Sequence, residues 1–298
     1  MRKTPSRTPR RALVLAGALA AALSPLLTRP AGAVRAADKM QPEEVIAKHL
    51  QSLGPEAARA AAHSRIAAGS SRVVFKGRST TGAIDGQVVI GSQSTKVLLG
   101  MKFPSPDYPG ERFGFDGKKF TVGYLKPGVR STLGSFLLIH GEVFKEGLMG
   151  GTLSSAWPLL NIAERKVRLE YAGTEKIDNQ PAHRLKYSPA KGSDLEISLF
   201  FDAQTFRHVR TQYDRVAGAR LSAGGIDSQA NQRAPRYRMT EDFSDFRQEE
   251  KLTLPHSYKL TLEIENTNGT SIQKWEMGLS QFSFDQEIDE KSYNVEAQ

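Results

Sequence analysis

The sequence predicts a mainly β protein of the α+β class, a large curved antiparallel sheet or unclosed β-barrel covered by a helical lid. Three observations support this prediction. Between residues 164 and 284 apolar and polar side chains alternate, as in Tyr258, Leu260, Leu262 and Ile264, and a period of two separates an apolar from a polar face. No helical crossover separates these segments, which favours antiparallel pairing. Residues 129–160 instead carry apolar residues at helical spacing.

The first 33 residues are typical of an export signal. Five basic residues precede an apolar run at 12–27 and the A-x-A sequence Ala31-Gly32-Ala33. Cleavage is expected after Ala33 or after Ala36, and a retained N-terminal anchor is the alternative. The pair Arg10-Arg11 leaves twin-arginine export open beside general secretion. We therefore expect a periplasmic or secreted protein.

The absence of cysteine and the net charge exclude several classes of function. The 298-residue chain has no cysteine, which excludes disulfides, thiolate metal sites, cysteine nucleophiles and a lipidated cysteine. Residues 1–33 hold six Arg and Lys and no acid, so their removal lowers the formal net charge from +9 to +3. A nucleic-acid partner is therefore not expected.

The first mature element is a predicted helix that begins at Pro42 and ends before Gly54. Its apolar stripe includes His49, which we expect to be a packed residue and not a metal ligand. A second short helix is predicted at 56–62. Predicted strands follow at 73–76, 83–90, 95–103, 111–115 and 120–125.

Residues 129–160 form the predicted helical insertion. The apolar positions recur at steps of three and four, and Gly141 interrupts them before an end at Gly147 or Gly150-Gly151. The stripe comprises Leu133, Phe136, Leu137, His140, Val143, Phe144 and Leu148, and Trp157 lies in a further short segment. Such a stripe must be buried, and we expect the apolar face of the sheet to bury it. Insertion into a membrane surface is the competing interpretation.

Further strands are predicted after the insertion, at 165–172, 182–187, 194–201, 206–213, 236–248, 257–265 and 271–284. The polar loop 216–234, rich in Gly, Ser, Gln and Ala, is expected to be mobile and to cover one mouth of the sheet. Residues 37–298 are thus predicted to be one domain that contains the insertion and this loop.

Several short phrases resemble the LolA/LolB-like superfamily of periplasmic lipoprotein-sorting and lipid-binding proteins. Residues 194–202 followed by Ala203-Gln204-Thr205 are similar to its strand that ends in a D-x-x-T turn, and residues 242–247 with 252–255 are similar to its "y-x-d-f … lP" hairpin. Residues 150–157 are shared with uncharacterised secreted proteins of this kind. The resemblance covers most of 41–285 and implies an incompletely closed barrel with helices at its open face.

No catalytic motif is present. The chain has no G-x-S-x-G elbow, no Walker A sequence and no G-x-G-x-x-G. Its six histidines lack the close spacing of zinc sites, so neither a metal nor a cofactor is expected. His208 stands between Arg207 and Arg210, and we expect it on a solvated strand face.

The sequence therefore predicts an exported, non-enzymatic binder or carrier of a hydrophobic ligand, a lipid or the acyl chain of a lipoprotein, with transient membrane or envelope-protein contact. The predicted ligand-binding residues are Phe136, Leu137, Phe144, Leu148 and Trp157 of the lid and Leu199, Phe201, Leu260 and Leu262 of the sheet. The alternative is an envelope protein–protein interaction module with a sealed core, which engages its partner through a sheet edge or the loop 216–234. A third hypothesis, an enzyme assembled from dispersed residues, requires a convergent carboxylate or histidine cluster in the cavity.

Overall fold

The structure, a computed structural model, describes residues 40–77, 81–216, 235–267 and 269–296. The predicted export signal and residues 217–234 of the predicted polar loop lie outside the described residues. Within the described ranges, no helix combines the length and the hydropathy that a membrane span requires.

The described chain is dominated by β-strands. The strands are β1 (Ser64–Lys76), β2 (Thr81–Gln93), β3 (Lys96–Lys102), β4 (Gly110–Phe115), β5 (Phe120–Val122), β6 (Arg168–Ile177), β7 (Gln180–Ser188), β8 (Glu196–Asp202), β9 (His208–Val216), β10 (Arg236–Glu249), β11 (Leu252–Asn266) and β12 (Gly269–Phe284). The α-helices are α1 (Pro42–Leu53), α2 (Glu56–Ala61), α3 (Thr132–Ile139) and α4 (Glu142–Lys145), with 3-10 turns at Gly151–Leu153, Pro158–Glu164 and Glu290–Tyr293.

All twelve strands belong to one sheet in the order β5-β4-β3-β2-β1-β12-β11-β10-β9-β8-β7-β6. Every neighbouring pair is antiparallel. The chain thus runs from β1 in the middle out to the edge strand β5, and it returns from the opposite edge strand β6 to β12. Residues 123–167 therefore connect opposite edges of the sheet. They contain the predicted helical insertion, residues 129–160, and from here on we call the whole connection 123–167 the insertion.

The sheet has one buried and one exposed face, as the alternation predicts. Tyr258 pairs with Met277 and Leu260 with Trp275, and all four side chains are buried in one apolar cluster with the insertion. The fold class is confirmed: a curled, unclosed antiparallel sheet with helices over its apolar face.

Several boundaries differ from the prediction. β1 begins at Ser64, not at residue 73, because its first half contains a buried arginine, Arg65, and the small residues Gly69, Ser70 and Ser71, which do not alternate in polarity. β11 begins at Leu252 and includes Pro255. Pro255 is tolerated there because β11 pairs with β12 only from Ser257 onward, so that side of β11 needs no donor at residue 255.

Candidate functional site

The nine residues predicted to line a ligand cavity lie together between the sheet and the insertion. Each is at most 5% exposed, and all nine belong to the same apolar cluster. Phe144 packs against Phe120 and Phe113, with ring centroids 4.6 Å and 5.8 Å apart. The nine side chains thus lie together in one packed apolar cluster between the sheet and the insertion, and their role in binding a ligand stays a prediction.

Trp157 of the insertion is held by two histidines of the main body. Its Nε1 donates to Nε2 of His49 on α1 at 3.1 Å, and its ring stacks on His208 of β9 with centroids 4.5 Å apart. His49 is buried, as the helical stripe predicts. Burial lowers its pKa to about 4, against the opposing effect of the Phe206 carbonyl. His49 is therefore neutral at physiological pH.

The expectation of a solvated His208 is wrong. The side chain is 1% exposed and packs between Trp157, Phe201 and Phe243. Burial is the main cause that holds the pKa of His208 well below the usual value, and the nearby His49 is a smaller cause. The flanking arginines misled the prediction because β8 and β9 lose regular register here, so sequence neighbours do not report on the environment of this ring.

Glu241 on β10 is the strongest functional candidate that the sequence analysis missed. It is fully buried and accepts hydrogen bonds from the Tyr213 hydroxyl at 2.8 Å, the Tyr258 hydroxyl at 2.7 Å and the backbone N–H of Gly150 at 2.7 Å. Burial raises the pKa of Glu241 to about 7, although the three donors act against it. The signal was present in the alternation, since Glu241 occupies the inward position between Met239 and Phe243.

Glu111 on β4 forms a second buried carboxylate site. It accepts from the Tyr108 hydroxyl at 2.5 Å and from Ser131 Oγ at 2.7 Å, while Ser131 also caps α3 by accepting from the Gly134 N–H. Burial raises the pKa of Glu111 to about 7, against both hydroxyl donors. The two carboxylates therefore contact the insertion at Ser131 and at Gly150, before α3 and after α4.

Arg65 on β1 and Ser92 on β2 also bind the backbone of the insertion. Arg65 Nη1 donates to the carbonyl oxygens of Thr152 at 2.7 Å and Ser154 at 3.3 Å, and Ser92 Oγ accepts from the N–H of Ser155 at 2.8 Å. Burial lowers the pKa of Arg65 to about 10, against the attraction of Asp285. Glu241, Glu111, Arg65 and Ser92 thus contact the insertion through specific polar groups, and the Tyr187 hydroxyl on β7 adds a hydrogen bond to Glu146 Oε2 at 2.8 Å.

These polar groups do not form an accessible catalytic centre. Glu241 is 0% exposed and His208 is 1% exposed, so a substrate has no path to either in this conformation. Glu241 and His208 are buried and contact the insertion, so in this conformation they are packing residues between the sheet and the insertion.

Apolar surface remains exposed on the outer side of the insertion. Leu138 and Ile139 on α3 are 43% and 67% exposed, and Tyr124 and Val129 before the helix are 42% and 51% exposed. Elsewhere, a groove of about 920 Å³ is lined by residues of β1, β2, β3, β12 and the β10–β11 hairpin. None of the nine predicted ligand-binding residues lines that groove.

No protein-family model and no curated protein sequence matches the chain. Among solved structures, the chain is similar to a LolA superfamily protein from Nitrosomonas europaea, with 11% identity, 87% of this chain and 100% of that chain covered, and a TM-score of 0.44. It is also similar to a putative outer membrane lipoprotein-sorting protein domain from Vibrio parahaemolyticus (14% identity, 86% and 98% covered, TM-score 0.40). A DUF1329 family protein from Desulfovibrio piger shows 8% identity, the same coverage and a TM-score of 0.40. At this level the similarities transfer neither a ligand nor a partner.

Proposed function

We propose that this chain is an exported, non-enzymatic binder of a hydrophobic ligand, a lipid or the acyl chain of a lipoprotein, in the cell envelope. The ligand replaces part of the insertion on the apolar face of the sheet, at the nine residues described above. The observation that carries the proposal is the cover itself: among the described residues, the twelve-stranded sheet buries its apolar face under helix α1 and the connection between its edges, and not under a second sheet.

Short helices and glycines with positive φ angles in the insertion support the proposal that it moves. Its helices are short, eight residues for α3 and four for α4. Gly147, Gly150 and Gly151 adopt positive φ angles of 73°, 79° and 50°, and glycines relieve the steric restriction that fixes other residues. The exposed side chains Leu138 and Ile139 offer apolar surface beside this cover, where an acyl chain first makes contact.

A disulfide between the insertion and β2 tests this proposal. The chain has no native cysteine, and Ser92 Oγ lies 2.8 Å from the Ser155 nitrogen, so the double variant Ser92→Cys/Ser155→Cys is designed to lock the cover. We expect the oxidised variant to lose binding of a fluorescent fatty acid at least tenfold relative to the same protein after reduction. Equal binding in both states, with the cross-link verified by mass, would show that the cover does not move for the ligand.

A second candidate function is a protein–protein interaction module with a sealed core. The complete burial of all nine residues favours it, as does the edge strand β6, which pairs only with β7 among the described strands. An extended partner segment can add to such an edge. If organic extraction of the purified protein yields no lipid, and a cross-linked envelope protein is lost on Glu175→Pro in β6, this function replaces the first.

A further inference from the structure

Three potential metal-binding side chains meet where the insertion contacts the β7–β8 hairpin. His140 follows α3, Glu142 begins α4, and Asp194 lies just before β8. His140 Nδ1 is 3.1 Å from Asp194 Oδ1 and 3.6 Å from Glu142 Oε1. One ligand atom from each of the three residues lies within 4.8 Å of the other two.

The histidine ring in this cluster is buried without a hydrogen bond. His140 is 1% exposed, and neither of its ring nitrogens has a hydrogen-bond partner among the described residues, because the contacts to the two carboxylates lack hydrogen-bond geometry. An unpaired buried polar atom is costly, so native structures rarely retain one. Nδ1 lies near both carboxylates, so a cation between the three residues supplies a partner for Nδ1.

Neighbouring side chains orient the two carboxylates. Ser193 Oγ donates to Glu142 Oε1 at 2.8 Å, and Arg215 Nε donates to Asp194 Oδ2 at 3.0 Å. Arg215 thereby leaves Oδ1 of Asp194 directed at His140. Such outer contacts fix the orientation of the ligands in established metal sites.

We propose that His140 Nδ1, Glu142 and Asp194 bind a divalent first-row transition-metal ion such as Zn²⁺ and tie the insertion to the β7–β8 hairpin. Two ligands of a tetrahedral Zn²⁺ at about 2.0–2.1 Å from the ion lie about 3.3–3.4 Å apart, and the observed separations of 3.1 Å and 3.6 Å lie on either side of this value. Imidazole is a ligand for Zn, Cu, Fe and Ni, whereas Mg²⁺ and Ca²⁺ prefer oxygen ligands alone.

The metal site changes one expectation from the sequence. The spacing of the histidines alone predicted no metal, because a site with one histidine has no histidine pair to recognise. His140 and Glu142 are two residues apart, but Asp194 comes from a distant hairpin. Since the ligands come from both the insertion and the sheet, metal binding stabilises the closed arrangement by mass action.

The test is Zn²⁺ titration of the full mature chain without a histidine tag, followed by calorimetry and by thermal unfolding. We expect one bound Zn²⁺ per chain, and a Tm about 5 °C higher at roughly 100-fold the Kd, reversed by EDTA. Mg²⁺ at the same concentration should not raise Tm.

Two variants and two controls make the result decisive. His140→Ala and Asp194→Asn should each weaken Zn²⁺ binding at least tenfold; Asp194 is 58% exposed, so its variant folds even if the buried His140→Ala does not. Asp85→Asn removes another exposed carboxylate with an arginine partner, and His63→Ala removes an exposed histidine; both should retain the Zn²⁺-dependent increase in Tm. An equal increase in Asp194→Asn, or binding at millimolar Zn²⁺ only, would overturn the proposal.

Discussion

At the scale of single residues, Glu241 links protonation to stability. Its folded pKa of about 7 lies above the ordinary value of 4.5, so the native state holds a proton between these pH values that the unfolded chain has released. The stabilising effect of the bound proton is therefore complete below pH 4.5 and is lost as pH rises to about 7.

Glu241→Gln should remove this pH dependence. Relative to the wild type, the variant's free energy of unfolding should increase by about 3 kcal/mol between pH 4.5 and pH 7.5, because one pKa unit corresponds to about 1.4 kcal/mol. Urea unfolding over this pH range measures the difference. Glu170→Gln removes an exposed carboxylate on β6 and is the control. A constant difference between Glu241→Gln and wild type at every pH would contradict the assignment.

Individual residues also show where sequence interpretation succeeds. The inward position of His49 follows from a helical stripe. That of Glu241 is readable from the strand alternation, because it stands between Met239 and Phe243, but it was not predicted. The packing of Trp157 on His208 does not follow from any pattern, because it joins residues 51 positions apart in the sequence through a tertiary contact. The buried pair of Glu111 and Ser131 escaped prediction for the same reason.

At the scale of elements, the insertion depends on glycines at special backbone positions. Gly147 has a φ of +73°, and a Cβ there would lie 2.1 Å from the carbonyl oxygen of Ala156. Gly192, in the β7–β8 hairpin, has a nearly identical φ of +75° with no atom within 4 Å of its Cβ position. Comparing alanine substitutions at the two glycines therefore separates the cost of backbone strain, which both share, from the cost of steric overlap, which only Gly147 has.

Gly147→Ala should destabilise the protein by on the order of 3–5 kcal/mol, whereas Gly192→Ala should cost about 1–2 kcal/mol, since only the first adds a clash to the left-handed backbone penalty. Chemical denaturation of both variants measures the two values. Equal losses would mean that the insertion shifts freely to accommodate a methyl group.

Strand periodicity and helical spacing located most elements. The insertion was predicted because Phe136, Leu137 and Phe144 follow a helical spacing that the strands lack. The beginning of β1 was missed because Gly69, Ser70 and Ser71 carry no apolar signal. Whether the insertion leaves an internal cavity depends on side-chain volumes in three dimensions, which a polarity pattern does not encode.

At the scale of the whole described molecule, the strand order predicts where the sheet opens first. β1 lies at the centre between β2 and β12, while β6 has a partner on one side only. Hydrogen exchange of β6 amides should be at least tenfold faster than that of β1 amides, because local opening is easiest where fewer contacts must break. Mass spectrometry of exchanged peptides measures both rates, and uniform protection across the sheet would contradict this prediction.

The order of the strands was the part of the fold that the sequence did not specify. Short turns predicted two antiparallel meanders, before and after residues 129–160, but alternation contains no statement about which strands meet in the middle. β1 pairs with β12, with Val73 opposite Trp275. These strands lie near opposite ends of the described chain, so their pairing is determined by tertiary packing.

The insertion connects the two edge strands of the sheet, β5 and β6, and crosses the apolar face between them. Because the connection has a fixed length, its height above the apolar face is coupled to the distance between β5 and β6. If a ligand displaces the insertion as proposed, the distance between the two edge strands should change, and the curvature of the sheet should change with it. Spin labels on exposed residues at the two edges, Lys118 before β5 and Lys176 on β6, would report loading as a change in distance.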